Sequence, residues 1–207
     1  LTSNKLSLYE VQGSPELFGH VLEGDRVRVL IASTYESQAI LNNSMLFGAR
    51  YTDLLGKAVS SVLSADSCDQ WFGLVDDFST SVLHVLRGGL NFGIREALFH
   101  SRGWNYHRSI FISSQRKQTS VGWEVQDNSY LKIPSHIGKV IVLGEVVATG
   151  TSLRCALQTL FSHEAESSTI SHLLLFVIGG VEAVRVCQEV CPPSVTVTVI
   201  FFEGIFG

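Results

Sequence analysis

Between residues 81 and 202, short apolar runs alternate with stretches of helical periodicity, and few folds accept that rhythm. The runs fall at 82–86, 109–113, 140–143, 171–178 and 195–202. The helical stretches fall at 90–101, 152–163 and 180–190. Short continuous apolar runs bounded by turn residues suit strands buried on both faces. Strands separated by helices of about ten residues make crossover units, which place the strands parallel. The expected fold class is therefore α/β, a mostly parallel central sheet flanked by helices. Such sheets bind ligands beyond the carboxyl ends of their strands, near the point where strand order switches. That singles out Arg87-Gly88-Gly89 and the segment after Leu143.

The region before residue 66 is less legible. Residues 26–32 read as a strand, since Val27, Val29 and Ile31 alternate with Arg28 and Leu30. Ser33-Thr34 then offers a cap to a helical pattern over 35–55. No chemical motif appears there. The chain divides on this reading into an N-terminal elaboration, 1–65, serving as a hood or dimer element, and a core, 66–207.

A length of 207 residues suits one such domain. With 45% hydrophobic and 16% charged residues the chain is not disordered. Its mean hydropathy is +0.25. Yet the longest apolar run, 173–181, is about half of the ~18–20 residues that span a bilayer. The apolar excess must go into a core or an interface. A net charge of −4 speaks against a nucleic-acid partner. Four cysteines without paired spacing, and no signal peptide, speak against a disulfide scaffold and for a cytoplasmic chain. Cys187 and Cys191 read as small buried side chains rather than metal ligands.

The segment VIVLGEVVATGTSL, 140–153, carries the most chemistry. A buried strand ends in Gly144-Glu145, two apolar residues follow, and a turn of small and hydroxyl residues opens a helix. A helix N-terminus presents N–H groups and a partial positive charge, which suit a phosphate. Gly150 lets the backbone come close, and Thr149, Thr151 and Ser152 add hydroxyls. Glu145 is placed to accept bonds from sugar hydroxyls or to help hold a metal. An ordinary strand–turn–helix with a Ser/Thr cap has a similar turn, but the full residue order is far more restrictive.

That order resembles the signature of the type I phosphoribosyltransferases: an apolar strand, two adjacent acids, two apolar residues, a small or acidic residue, then Thr-Gly, a variable residue and Ser or Thr. The family binds phosphoribosyl pyrophosphate (PRPP) with magnesium. The resemblance implies that Ala148, Thr149, Gly150, Thr151 and Ser152 cradle the 5′-phosphate. It implies that Glu145 contacts the ribose and reaches the Mg2+ carried by PRPP. Gly144 stands where the family has its first acid, which removes one ribose contact and one negative charge. Ala148 speaks against the hypoxanthine/guanine type. Residues 82–93, VLHVLRGGLNFG, resemble the family's first core strand and pyrophosphate loop, closest in style to uracil-type members. Arg87, Gly88 and Gly89 would then surround the pyrophosphate. The polar stretch 114–128 reads as a loop or mobile hairpin and falls where the family has its catalytic loop. This places Arg116 and Lys117 on the departing pyrophosphate. The likeness spans 81–202.

The family's hood over the base would come from the N-terminal region, the tail after Val199, or both. Phe201, Phe202 and Phe206 are candidates to stack on a base, with Glu203 accepting an N–H, although aromatics near a chain end more often pack. His84 lies in a buried strand pattern and reads as a satisfied core histidine; no other histidine has metal spacing. The resemblance implies a transferase moving the phosphoribosyl group of PRPP to a nitrogenous base with release of pyrophosphate. It also implies Mg2+ and a homodimer, with no membrane or nucleic-acid partner. Gly144 keeps open a second reading, a regulatory module of the same fold that binds PRPP or a nucleotide without turnover.

Overall fold

The computed structural model describes residues 7–10, 26–65, 72–74, 76–86, 89–113, 115–119, 122–126, 130–163 and 169–206. In chain order the strands are β1 (Ser7–Glu10), β2 (Val27–Ser33), β3 (Thr80–Leu86), β4 (Arg108–Ser113), β5 (Gln115–Thr119), β6 (Gly122–Gln126), β7 (Leu131–Lys132), β8 (Val140–Val147), β9 (His172–Gly179) and β10 (Thr196–Phe202). The helices are α1 (Tyr35–Asn42), α2 (Gly48–Leu63), α3 (Ile94–Arg102), α4 (Thr151–Ser162) and α5 (Glu182–Val190). A 3-10 turn, Gly89–Phe92, joins β3 to α3.

Eight strands form one sheet in the order β1-β2-β10-β9-β8-β3-β4-β7. The six inner strands are parallel and only the two edge strands run antiparallel. This is the mostly parallel, helix-flanked sheet expected. Its strands are apolar on both faces because each face meets a helical layer. In β8, Ile141, Leu143 and Val147 join Leu153, Leu157 and Val184 of α4 and α5 in one core cluster. Val140 and Val142 join Leu55, Val59 and Leu98 of α2 and α3 in the other.

The first described segments are part of this core. β2 lies inside the sheet, parallel to β10, and α2 packs with Val142, Phe176 and Phe202. The strand and helix expected before residue 66 are present, and both pack into the core of the sheet. The helical pattern over 35–55 is broken in two. Asn43 leaves the helix in an extended conformation, and its side chain accepts the Met45 N–H at 3.0 Å. That local turn competes with the helix. The polar stretch after β4 forms the β5–β6 hairpin. Cys187 and Cys191 are buried, and the Cys187 thiol is pushed up by its hydrogen bond with Cys191 and by burial. Among the described residues no helix is long and apolar enough to cross a membrane.

Candidate functional site

β3 and β8 are neighbours in the sheet, yet the chain leaves them in opposite directions: β3 is followed by β4 on one side and β8 by β9 on the other. That is a topological switch point, where the loops at the carboxyl ends diverge and leave a crevice. The β3–β8 ladder is paired only to Leu83 and Leu143. Beyond it, Gly144–Val147 stay paired with β9 alone, and Glu145 lies level with Val177.

The turn after β8 begins at this switch point. Ala148 and Thr149 are exposed, and Thr151 and Ser152 are half-buried. Gly150 is the N-cap of α4, with φ 70°, and no side chain caps the helix. A Cβ on Gly150 would also meet Val186 Cγ2 at 2.7 Å. Both the left-handed backbone and the close approach of α5 require glycine there. Thr149 and Thr151 share a hydroxyl–hydroxyl hydrogen bond of 2.9 Å. The five residues that the sequence put on a phosphate thus lie together at the start of α4.

Glu145 is only 7% exposed, while Val146 beside it is 50% exposed. Alternation along β8 puts Glu145 on the α4 face and Gly144 on the α2–α3 face. Gly144 has a steric cause. A Cβ at this position would run into the Phe92 ring, 2.5 Å from Cδ1 and 2.6 Å from Cβ. Phe92 is fully buried and belongs to the turn after β3. The space beside Gly144 is filled by an aromatic ring. Sequence reasoning marked Gly144 but not its filler, because the two positions meet only through the sheet.

The other predicted residues divide. Arg87 and Gly88 lie outside the described residues, and Gly89 begins the 3-10 turn. Arg116 and Lys117 sit on β5, opposite Val125 and Glu124 of β6. Phe201 and Phe202 are fully buried, and Phe202 stacks on Phe176 with centroids 6.0 Å apart. Neither offers a face to a base, because β10 lies inside the sheet between two helical layers. Phe206 is 45% exposed, and its N–H reaches the Gly179 carbonyl at 3.0 Å. Glu203 is committed elsewhere. Its carboxylate accepts the Ser33 hydroxyl at 2.8 Å, the Thr34 N–H at 3.1 Å and the Ser37 hydroxyl. It holds the start of α1 from a left-handed backbone, φ 66°. That conformation costs a non-glycine residue about 1–2 kcal/mol.

A polar cluster that the sequence did not reveal lies under α3. Asp77 accepts the N–H groups of Asn105 and Tyr106, and its Oδ1 lies 3.2 Å from His107 Nδ1. Arg95 Nε donates to His107 Nε2 at 3.3 Å, which puts the imidazole proton on Nδ1, facing Asp77. Burial holds His107 below the usual histidine range against the pull of Asp77. His84 stacks on Phe111 at 4.8 Å, and its buried Nε2 has no hydrogen-bond partner among the described residues. It is a core histidine, but not a satisfied one. Burial, then the Arg95 charge, lower its pKa to about 4. Local sequence carries no signal for this cluster, because its members come from separate loops and strands.

No family model matches the sequence, and no curated protein matches it. Solved structures do. The AQ2163 protein from Aquifex aeolicus superposes with a TM-score of 0.59 at 15% identity, over 83% of this chain and 84% of that one. At that identity the likeness is one of fold. Looser similarities include an adenine phosphoribosyl transferase from Trypanosoma brucei in complex with AMP, pyrophosphate and ribose-5-phosphate. Its TM-score is 0.48 at 11% identity, over 88% and 86% of the chains. A protein from Neisseria gonorrhoeae with bound ppGpp superposes with a TM-score of 0.45 at 8% identity, over 75% and 83%.

Proposed function

We propose that this chain is a phosphoribosyltransferase, moving the phosphoribosyl group of PRPP to a nitrogenous base with release of pyrophosphate. One observation carries the reading. At the switch point of a parallel sheet, a buried carboxylate at a strand end is followed by a glycine-capped helix start. The turn Ala148–Ser152 would hold the 5′-phosphate through amides and hydroxyls. Glu145 would accept bonds from the ribose hydroxyls. Arg87, Gly88 and Gly89, with Arg116 and Lys117, are assigned to the leaving pyrophosphate. No side chain need bond covalently to the sugar. The protein's part is to orient the anomeric carbon toward the base and to balance charge as the carbon–oxygen bond to pyrophosphate breaks. We attach a cytoplasmic homodimer to this reading.

Magnesium would enter with the diphosphate. Among the described residues no group of three His, Cys, Asp or Glu side chains stands ready for a metal. A single carboxylate, Glu145, with substrate phosphates and water is a donor set that Mg2+ accepts. The ion would be held by the ligand more than by the protein.

Gly144 in the place of an acid, with the Phe92 ring against it, favours a second reading, in which the site binds PRPP or a nucleotide without turnover. A pyrophosphate-release assay over a panel of bases, run beside calorimetry with PRPP and magnesium, separates the two. Release with one base supports the transferase. Binding with no release for any base supports the module. No binding of PRPP overturns both.

A further inference from the structure

We propose that the cleft between α2 and α3 binds a small organic cation, an amine or amidine carried on a compact ring. This does not rest on the phosphoribosyl reading. The cleft holds about 590 Å³. Small-molecule pockets run from roughly 300 to 1,000 Å³. Asp53, Gly56 and Lys57 line it from one face of α2, and Gly93, Glu96 and His100 from the start and the length of α3. Its floor is the two glycines, since a Cβ on Gly93 would lie only 3.5 Å from Gly56 Cα. With no side chain on that floor, a flat ring can lie against it.

Two observations set the chemistry of the ligand. The first is Gly56, which sits in the middle of α2. A Cβ on it would meet nothing nearer than the Phe92 carbonyl oxygen at 3.9 Å and Gly93 Cα at 4.0 Å, both ordinary contacts. Packing therefore admits alanine at a mid-helix position where glycine is the weaker choice. A glycine that the fold does not require leaves bare helix backbone for whatever enters the cleft. The second observation is charge. Asp53 and Lys57 neutralise each other through a 2.7 Å ion pair. Glu96, on the facing wall, has no hydrogen bond or ion pair among the described residues. The walls thus carry two carboxylates against one ammonium that is already paired, with the His100 imidazole beside them. A cation that donates hydrogen bonds to Glu96 gains a charge-assisted contact. An anion would be repelled by both carboxylates.

Amide NMR titrations of the full chain test this with benzylamine, benzoate and benzyl alcohol, one ring carrying a positive, a negative and no charge. Benzylamine should give saturable shifts at Gly56 and Gly93, with a Kd on the order of millimolar for so small a probe. Benzoate and benzyl alcohol should bind at least about fivefold more weakly. Glu96→Gln should weaken benzylamine by about fivefold or more and leave the melting temperature within about 1 °C. Gly56→Ala should raise the melting temperature by about 1–4 °C and weaken benzylamine, because the new methyl occupies the floor. Benzoate or benzyl alcohol binding as tightly as benzylamine overturns the inference, as does the absence of shifts at Gly56 and Gly93. A Gly56→Ala chain that melts lower than the parent also overturns it, since packing would then be the reason for the glycine. Shifts at these two amides on dilution alone, without any amine, would mean that a second copy of the chain fills the cleft, and they overturn it too.

Discussion

Of the helices that follow parallel strands in this sheet, α1 and α4 are treated differently at their N-termini. α1 is satisfied from within. Thr34 and Ser37 form a reciprocal capping box, and the Glu203 carboxylate closes over both. α4 has a glycine at its cap, no side-chain cap, and exposed residues at 148 and 149 before it. Every helix leaves orphan N–H groups at its start. Where side chains of the same chain take them, the helix end is structural. Where a left-handed glycine takes the cap position, as Gly150 does for α4 and Gly93 for α3, no side chain caps the helix among the described residues. The Glu203 carboxylate, committed to Ser33, Thr34 and Ser37, is a strand-end acid with a structural task.

The comparison can be broken at several points. The largest effect should come from Gly144→Asp. It forces a carboxylate into a buried aromatic ring and should cost about 3 kcal/mol or more in denaturant unfolding. A cost below about 1 kcal/mol would mean that Phe92 moves aside. Next is Glu203→Ala, which removes charge-assisted bonds to the start of α1. Its loss should be about 2–3 kcal/mol, while PRPP affinity stays within about twofold. A large loss of PRPP affinity would make α1 part of the site.

His84 gives a pH-dependent check away from both helix ends. Its pKa is about 4 in the fold and near the ordinary 6.5 when unfolded. The unfolded chain thus takes up the proton first, and stability falls as pH drops from 6.5 toward 4. The loss from His84 should be on the order of 2 kcal/mol, and His84→Leu should make the curve shallower in that window, leaving the slope that the buried His107 and His172 contribute. Unfolding at several pH values, with and without the substitution, measures it.

The smallest and sharpest contrast is a matched pair. Thr34→Ala should lower stability by about 1 kcal/mol, because Thr34 accepts the Ser37 N–H at 3.0 Å. Thr151→Ala, at the start of α4, should change stability by less than about 0.5 kcal/mol yet weaken PRPP binding. Thermal melts with and without PRPP read both. Equal stability losses would erase the distinction between the two helix starts.

The parallel sheet was legible because burial on both faces writes itself into sequence as continuous apolar runs, as in 173–178. The glycine-capped turn was legible because Gly150 and its hydroxyl neighbours are adjacent in the chain. The rest depends on distance. Placing β2 beside β10 needs strand order, which local pattern does not encode. The pairing of Phe92 with Gly144 and of Glu203 with α1 needs contacts across the sheet. The break at Asn43 is a local side-chain turn that helical periodicity overlooks.

The most direct test of the central claim, that a 5′-phosphoribosyl group sits at the start of α4, is an amide NMR titration with ribose 5-phosphate. The account predicts saturable shifts, largest at the amides of Thr149, Gly150, Thr151 and Ser152, with those of Ser37 and Gln38 at the start of α1 unmoved. Saturation with the largest shifts elsewhere, or no shift at 149–152, would contradict it.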